Sequence, residues 1–199
     1  MRRSLSVTAL AVAVVGLGSS PAYAHTGEGD PRGEGEFVPA DPASYPPVEF
    51  EACGSVITLT NGDVFEVEER FTELPDGRGF LTEFRGEWTV DLVRESDGAT
   101  IDELDIGGPG YEVQRPMGDE VHITNKLYAK SVLFPFGVPP HPADVQAFAE
   151  ADIPDLAYYT DGNVEVELVI DAETGELKEV EFDEVDANIV DLCPLFDED

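Results

Sequence analysis

Basic side chains are scarce. Against 43 Asp and Glu the chain carries 11 Lys and Arg, a formal charge of −32 over 199 residues. Lysine occurs only at Lys126, Lys130 and Lys178. A surface of that sign repels phosphate backbones and anionic headgroups, which excludes nucleic acid as a partner and disfavours anionic lipid. Long apolar runs are also missing: beyond the N-terminus nothing approaches the roughly 20 residues that a membrane-spanning helix requires, so no membrane insertion is expected. Serines are few and no Gly-x-Ser-x-Gly occurs, which removes the common serine-hydrolase arrangement. A phosphate loop and a dinucleotide fingerprint are both lacking. No cofactor is implied, and the expectation is a protein without catalytic activity.

The acids that fill this gap are spread along the chain. Dispersed carboxylates fit adaptation to salty or alkaline surroundings, where they keep a protein hydrated, better than they fit one cation-binding surface. Like charges repel unscreened at low ionic strength, so stability should fall there.

The N-terminus reads as an export signal. Met1-Arg2-Arg3 is positive, Val7 to Leu17 is apolar, and Ala22-Tyr23-Ala24 supplies small residues at the −3 and −1 positions of a cut after Ala24. The mature chain is therefore expected to be secreted. Arg2-Arg3 followed by Leu5 leaves twin-arginine export open beside the general route. Residues 25–47 are rich in glycine, proline and acids, which predicts a flexible leader. Residues 48–199 are expected to form a single β domain.

From Val48 onward the hydrophobic period is two. Phe84, Trp88, Val90 and Leu92 alternate with Arg85, Glu87 and Asp91, and Val164, Val166, Leu168 and Ile170 repeat the pattern. Turn residues separate such runs at Asn61-Gly62-Asp63, Pro75-Asp76-Gly77, Asp97-Gly98, Gly107-Gly108-Pro109-Gly110, Asp161-Gly162-Asn163 and Glu173-Thr174-Gly175. The expected fold is mainly β, an antiparallel up-and-down β-barrel, lipocalin-like in outline. A β-sandwich is the alternative, since alternation alone does not separate the two.

One excursion interrupts the strands between Phe134 and Glu150. Pro142 suits a first helical turn, and Val145, Phe148 and Ala149 share a face, which predicts a short helix over 142–150. Such a helix could cover a pocket for a small apolar ligand lined by Phe136, Phe148, Ile153, Tyr158 and Tyr159. It could equally be a plug that completes the core, leaving a filled barrel that serves as an envelope structural or interaction protein.

The two cysteines, Cys53 and Cys193, flank the folded part. In an exported chain an isolated pair reads as one disulfide, and closing a loop of this length is worth about 5 kcal/mol in the chain-entropy view. Ala52-Cys53-Gly54, Leu74-Pro75-Asp76-Gly77, Ile106-Gly107-Gly108-Pro109-Gly110 and Asp191-Leu192-Cys193-Pro194-Leu195 together resemble a group of small exported actinobacterial proteins of unknown function, β-rich, with a matching early and late cysteine. The resemblance covers about Val48 to Leu195 and implies no catalytic residue.

The remaining candidates are weaker. After the predicted cut His25 becomes the N-terminus, and its α-amine and ring could bind copper with a second histidine, His122 or His141, as a third reading of function. His122 shares an alternating face with Thr124, Lys126 and Tyr128 and points to solvent; His141 lies among prolines. No metal site is therefore assigned. Asp171-Ala172-Glu173-Thr174-Gly175-Glu176 opens like a calcium loop, but Phe182 stands where a bidentate acid belongs, so it reads as a hairpin turn. In Glu68-Glu69 and Asp102-Glu103, strand neighbours face opposite sides and cannot cooperate in catalysis.

Overall fold

The computed structural model describes residues 35–197 and the backbone of Ala13–Val14. The predicted signal cut and His25 lie outside the described residues. Ala13–Val14 (β1) and Val38–Pro39 (β2) are followed by a 3-10 turn at Pro42–Ser44 and then by β3 (Val48–Ala52), β4 (Ser55–Phe65), β5 (Glu68–Glu73) and β6 (Phe80–Arg85). Next come β7 (Trp88–Arg94), β8 (Ala99–Asp105), β9 (Gly110–Met117), β10 (Glu120–Tyr128) and β11 (Ser131–Phe134). Helix α1 (Pro142–Glu150) precedes β12 (Ala157–Tyr159), β13 (Gly162–Asp171), β14 (Leu177–Ala187), β15 (Val190–Asp191) and a closing 3-10 turn at Cys193–Asp197.

The protein is mainly β, and the strand pairs are antiparallel. The strands fall into three sheets: β3-β4-β7-β8, β14-β13-β10-β9-β6-β5-β2, and β1-β11-β12-β15. Among the described residues no pairing joins the outer strands β14 and β2 of the seven-stranded sheet.

The hairpin turns at Pro75–Gly77, Asp97–Gly98 and Glu173–Gly175 stand where the turn residues predict them. Two other stretches differ. The run Phe84–Leu92 reads as one strand, yet the chain turns a corner at Gly86-Glu87, with Phe84 on the seven-stranded sheet and Trp88 starting β7 on a four-stranded one. Gly86 has φ +124°, and a Cβ there would collide with the Glu66 carbonyl oxygen, so the corner requires glycine. Alternation survives because Phe84 and Trp88 both turn toward buried residues. Asn61-Gly62-Asp63, predicted as a turn, lies inside β4, where the pairing register shifts between Asn61 and Phe65. Side chains satisfy this bulge: Asp63 N–H donates to Glu103 Oε1 at 2.8 Å, and Val64 N–H donates to Thr89 Oγ1 at 3.1 Å.

The core has two parts. Phe50, Ile57, Leu59, Trp88, Val90 and Leu92 pack with Val132, Phe134 and Leu156, joining the two four-stranded sheets. Ile123, Leu127, Val164, Val166, Leu168 and Ile170 line the inner face of the seven-stranded sheet beneath Phe148, Ile153 and Tyr159. Phe84 touches both.

Residues 35–47, the described part of the predicted 25–47 leader, lie against the body. Val38–Pro39 pairs with Glu68–Glu69, the Phe37 ring lies 4.6 Å from the Arg70 guanidinium and 4.0 Å from that of Arg85, and Tyr45 is buried. Phe37, Val38 and Tyr45 are the only large apolar residues of that stretch. Each finds a partner on the body, and together they offset the ordering cost that the composition alone predicts will prevail.

Cys53 and Cys193 form the disulfide, with Cα atoms 5.3 Å apart and a sequence separation of 140. Cys53-Gly54 is the two-residue loop between β3 and β4, and both residues have positive φ, 54° and 69°. That is the turn whose twist matches a hairpin.

Candidate functional site

The five residues expected to line an apolar pocket are not brought into one site. Phe148, Ile153 and Tyr159 belong to the core beneath α1, whereas Phe136 and Tyr158 pack against the other core. Tyr158 and Tyr159 are consecutive on β12, so they face opposite sides of their sheet. Tyr158 O–H donates to the Asp105 carbonyl at 2.7 Å, and Phe148 meets Phe182 edge-on at 5.1 Å. The helix spans Pro142–Glu150 as predicted, but it buries Asp144, Ala147 and Phe148, leaving Val145 and Ala149 exposed.

An open cleft of about 310 Å³ lies instead at the corner between the sheets. Gly86 and Gly107-Gly108 form main-chain walls, Trp88 and Thr89 enter from β7, and the directly paired Asp105 and Lys130 line it together. Sequence and packing explain the walls: a Cβ at Gly107 would press on the Gly86 carbonyl and the Trp88 amide. Trp88 is buried, its Nε1–H donating to Asn61 Oδ1 at 3.0 Å. The Asp105 carboxylate accepts from Gly107 N–H at 3.1 Å and pairs with Lys130, whose ammonium it holds above the usual lysine range. A second, adjoining cavity of about 20 Å³ is lined by Tyr45, Phe84, Leu127 and Ser131, room for one water.

Deeper along the same sheet face stands a buried polar row. Thr82, Glu112 and Asn125 are direct cross-strand neighbours on β6, β9 and β10, in line with the buried Val166. Burial pushes the Glu112 carboxyl up from its ordinary value, partly offset by Gln114, whose Nε2 donates to it. Asn125 is fully buried, and neither its Oδ1 nor its Nδ2 has a protein partner. The signal for this row was alternation, which sets Asn125 on the face of Ile123 and Leu127 opposite His122, Thr124 and Lys126; the pairing with β9 and β6 then adds Glu112 and Thr82.

The other candidates have structural roles. His141 caps α1, its Nδ1 accepting from Ala143 N–H at 3.2 Å. The His122 ring is partly exposed and lies 3.6 Å from the Glu120 carboxylate. Asp171 accepts from the Glu173 and Thr174 amides at 3.0 and 2.9 Å and pairs with Lys178, contacts that hold its carboxyl far below the usual range. Its oxygens are thus occupied by the hairpin itself. Glu68 pairs with Arg85, while Glu69 accepts from the Tyr45 hydroxyl on the other face. Ligand-type atoms of Cys53, Asp155 and Cys193 lie within 4.8 Å of one another, but both sulfurs are spent in the disulfide. Compared with protein-family models, with curated proteins and with solved structures, the chain matches none.

Proposed function

We propose that this chain is a secreted, non-catalytic β protein that acts by binding, and that its binding site is the glycine-walled cleft at the corner between the sheets. The reading treats the domain as open sheets packed face to face, the sandwich alternative, with the Cys53–Cys193 bridge suited to life outside the cell. One observation carries it: the apolar region beneath α1 is filled by the protein's own side chains, whereas an open space of about 310 Å³ stands beside Lys130, Asp105 and Trp88. Main-chain walls and the Asp105–Lys130 ion pair offer hydrogen bonds to a small polar molecule, with the Trp88 ring as an apolar side, in place of the apolar ligand that the sequence suggested. The test is a native mass spectrum of the protein as secreted by its own host, followed by the same measurement on Lys130→Ala. An organic adduct lost in the variant supports the cleft. A bare chain in both cases removes it.

A second reading, an envelope interaction module, is favoured by the β11 edge. In the full chain Ala13–Val14 pairs with Leu133–Phe134. If the signal is cut after Ala24 that partner leaves, and β11 offers a free edge to an extended segment of another protein.

A further inference from the structure

Asp155 stands on the short link between α1 and β12, and its carboxylate touches both halves of the disulfide. Oδ2 accepts from the Cys53 N–H at 3.0 Å, and Oδ1 lies 3.4 Å from Cys193 Sγ. Its position is fixed from both sides. Leu156, the next residue, is fully buried and its carbonyl accepts from Leu192 N–H at 3.0 Å, continuing the β12–β15 pairing in which Ala157 faces Asp191. A second carboxylate adjoins the bridge, since Asp191 Oδ1 accepts from Cys193 N–H at 2.9 Å. Among the described residues neither Asp155 nor Asp191 is paired with a lysine or arginine. The bridge itself is not deeply buried: Cys53 and Cys193 are both partly exposed and Asp155 is exposed.

We infer that Asp155 is an electrostatic guard that protects the Cys53–Cys193 disulfide from attack by thiolates. Reduction by a dithiol begins when its thiolate bonds to one sulfur and the S–S bond breaks, the electron pair leaving on the other sulfur as a thiolate. The second thiol of the reductant, once deprotonated, then displaces the remaining protein sulfur, so the dithiol is oxidised by two electrons as the cystine is reduced. The Asp155 charge opposes this sequence twice. It repels the incoming anion at Cys193, and it raises the energy of a thiolate leaving on Cys53 or Cys193 beside it. The disulfide is thus accessible in space yet shielded by charge. A protein exported into surroundings that contain foreign thiols would keep its longest covalent loop closed.

The experiment follows reduction of the folded protein by excess dithiothreitol at pH 8, quenched by alkylation and read by mass, for wild type and Asp155→Asn. Asparagine keeps the acceptor for Cys53 N–H and removes only the charge. Loss of one unit charge about 4 Å away in a largely aqueous setting should speed the reaction about fivefold. The same pair is then reduced with tris(3-hydroxypropyl)phosphine, an uncharged nucleophile whose attack forms a phosphonium cation on one sulfur as the thiolate leaves on the other, so that the two charges offset beside Asp155 and both proteins should react at similar rates. Equal dithiothreitol rates would overturn the guard. So would equal acceleration by both reagents, because a variant that merely loosens the bridge region opens it to any nucleophile.

Discussion

The hydroxyl of Tyr45 donates to the carboxylate of Glu69, tying a residue just before β3 to the start of β5. The ring above that bond packs edge-on against Phe65 at 5.2 Å and against Trp88 at 5.0 Å. Burial, followed by the Glu69 carboxylate, raises the phenol far above its ordinary value. This one side chain joins the N-terminal strap to both large sheets.

Tyr45→Ala should accordingly cost about 3–5 kcal/mol, the range for deleting a buried aromatic ring, and Tyr45→Phe only about 1 kcal/mol. Urea unfolding followed by Trp88 fluorescence measures both, since Trp88 is the single tryptophan. A loss below 1 kcal/mol for the alanine variant would mean that the strap is not part of the cooperative unit.

Asp144 is fully buried, accepts from the Phe136 N–H at 3.3 Å through one oxygen, and has no protein partner at the other. Burial pushes its carboxyl up to about 7, against 3.8 ordinarily. A raised acid holds its proton in the folded state after the unfolded chain has released it. Its favourable contribution is therefore complete below pH 3.8 and is lost as the pH rises toward 7. Asp144→Asn should melt higher than wild type at pH 8, with the difference shrinking toward zero at pH 4. Thermal melts of the two proteins across that window decide it.

Asn125→Leu should stabilise the protein by about 1–3 kcal/mol, because it removes two buried polar groups that have no protein partner and adds apolar surface beside Val166. Denaturant unfolding gives the sign. A loss of stability would show that the Asn125 amide is satisfied in solution by an enclosed water.

Gly86→Ala should cost several kcal/mol, or prevent folding, since a left-handed backbone and a collision with the Glu66 carbonyl act together. Gly98→Ala is the control: it has φ +75° with nothing within 4 Å, so it meets only the backbone term. Comparing the two unfolding midpoints isolates the close approach at the corner.

Lowering the salt from about 1 M to about 10 mM lengthens the screening distance from about 3 Å to about 30 Å. With a formal charge of −32, the melting temperature should fall steadily over that range. A flat profile would show that the acids are too dispersed to repel one another appreciably.

Much of the fold was legible in local sequence. Hairpins such as the one at Asp97-Gly98, the helix starting at Pro142 and the cystine follow from turn chemistry, a proline at a first helical turn and an isolated cysteine pair. What stayed hidden depends on contacts between distant segments. The Gly86 corner keeps the period of two while changing sheets, and a period carries no record of which sheet a residue joins. Asp144 reads as a polar helix residue until the helix is seen to turn that face inward. The cleft at Lys130 is built from four separated segments, and no spacing within any one of them announces it.

The Cys53–Cys193 bridge also determines how the protein carries load. A pull applied between the N-terminal strap and the C-terminal 3-10 turn passes from Cys53 directly into Cys193, bypassing the chain between them, which spans 140 positions of sequence. Stretched, the oxidised protein can yield only the segments outside the bridge, with β2 and β3 peeling from β5 and β4, while the chain between the two cysteines cannot be drawn out. Such a body can be drawn out along its whole length only after its covalent clasp is undone.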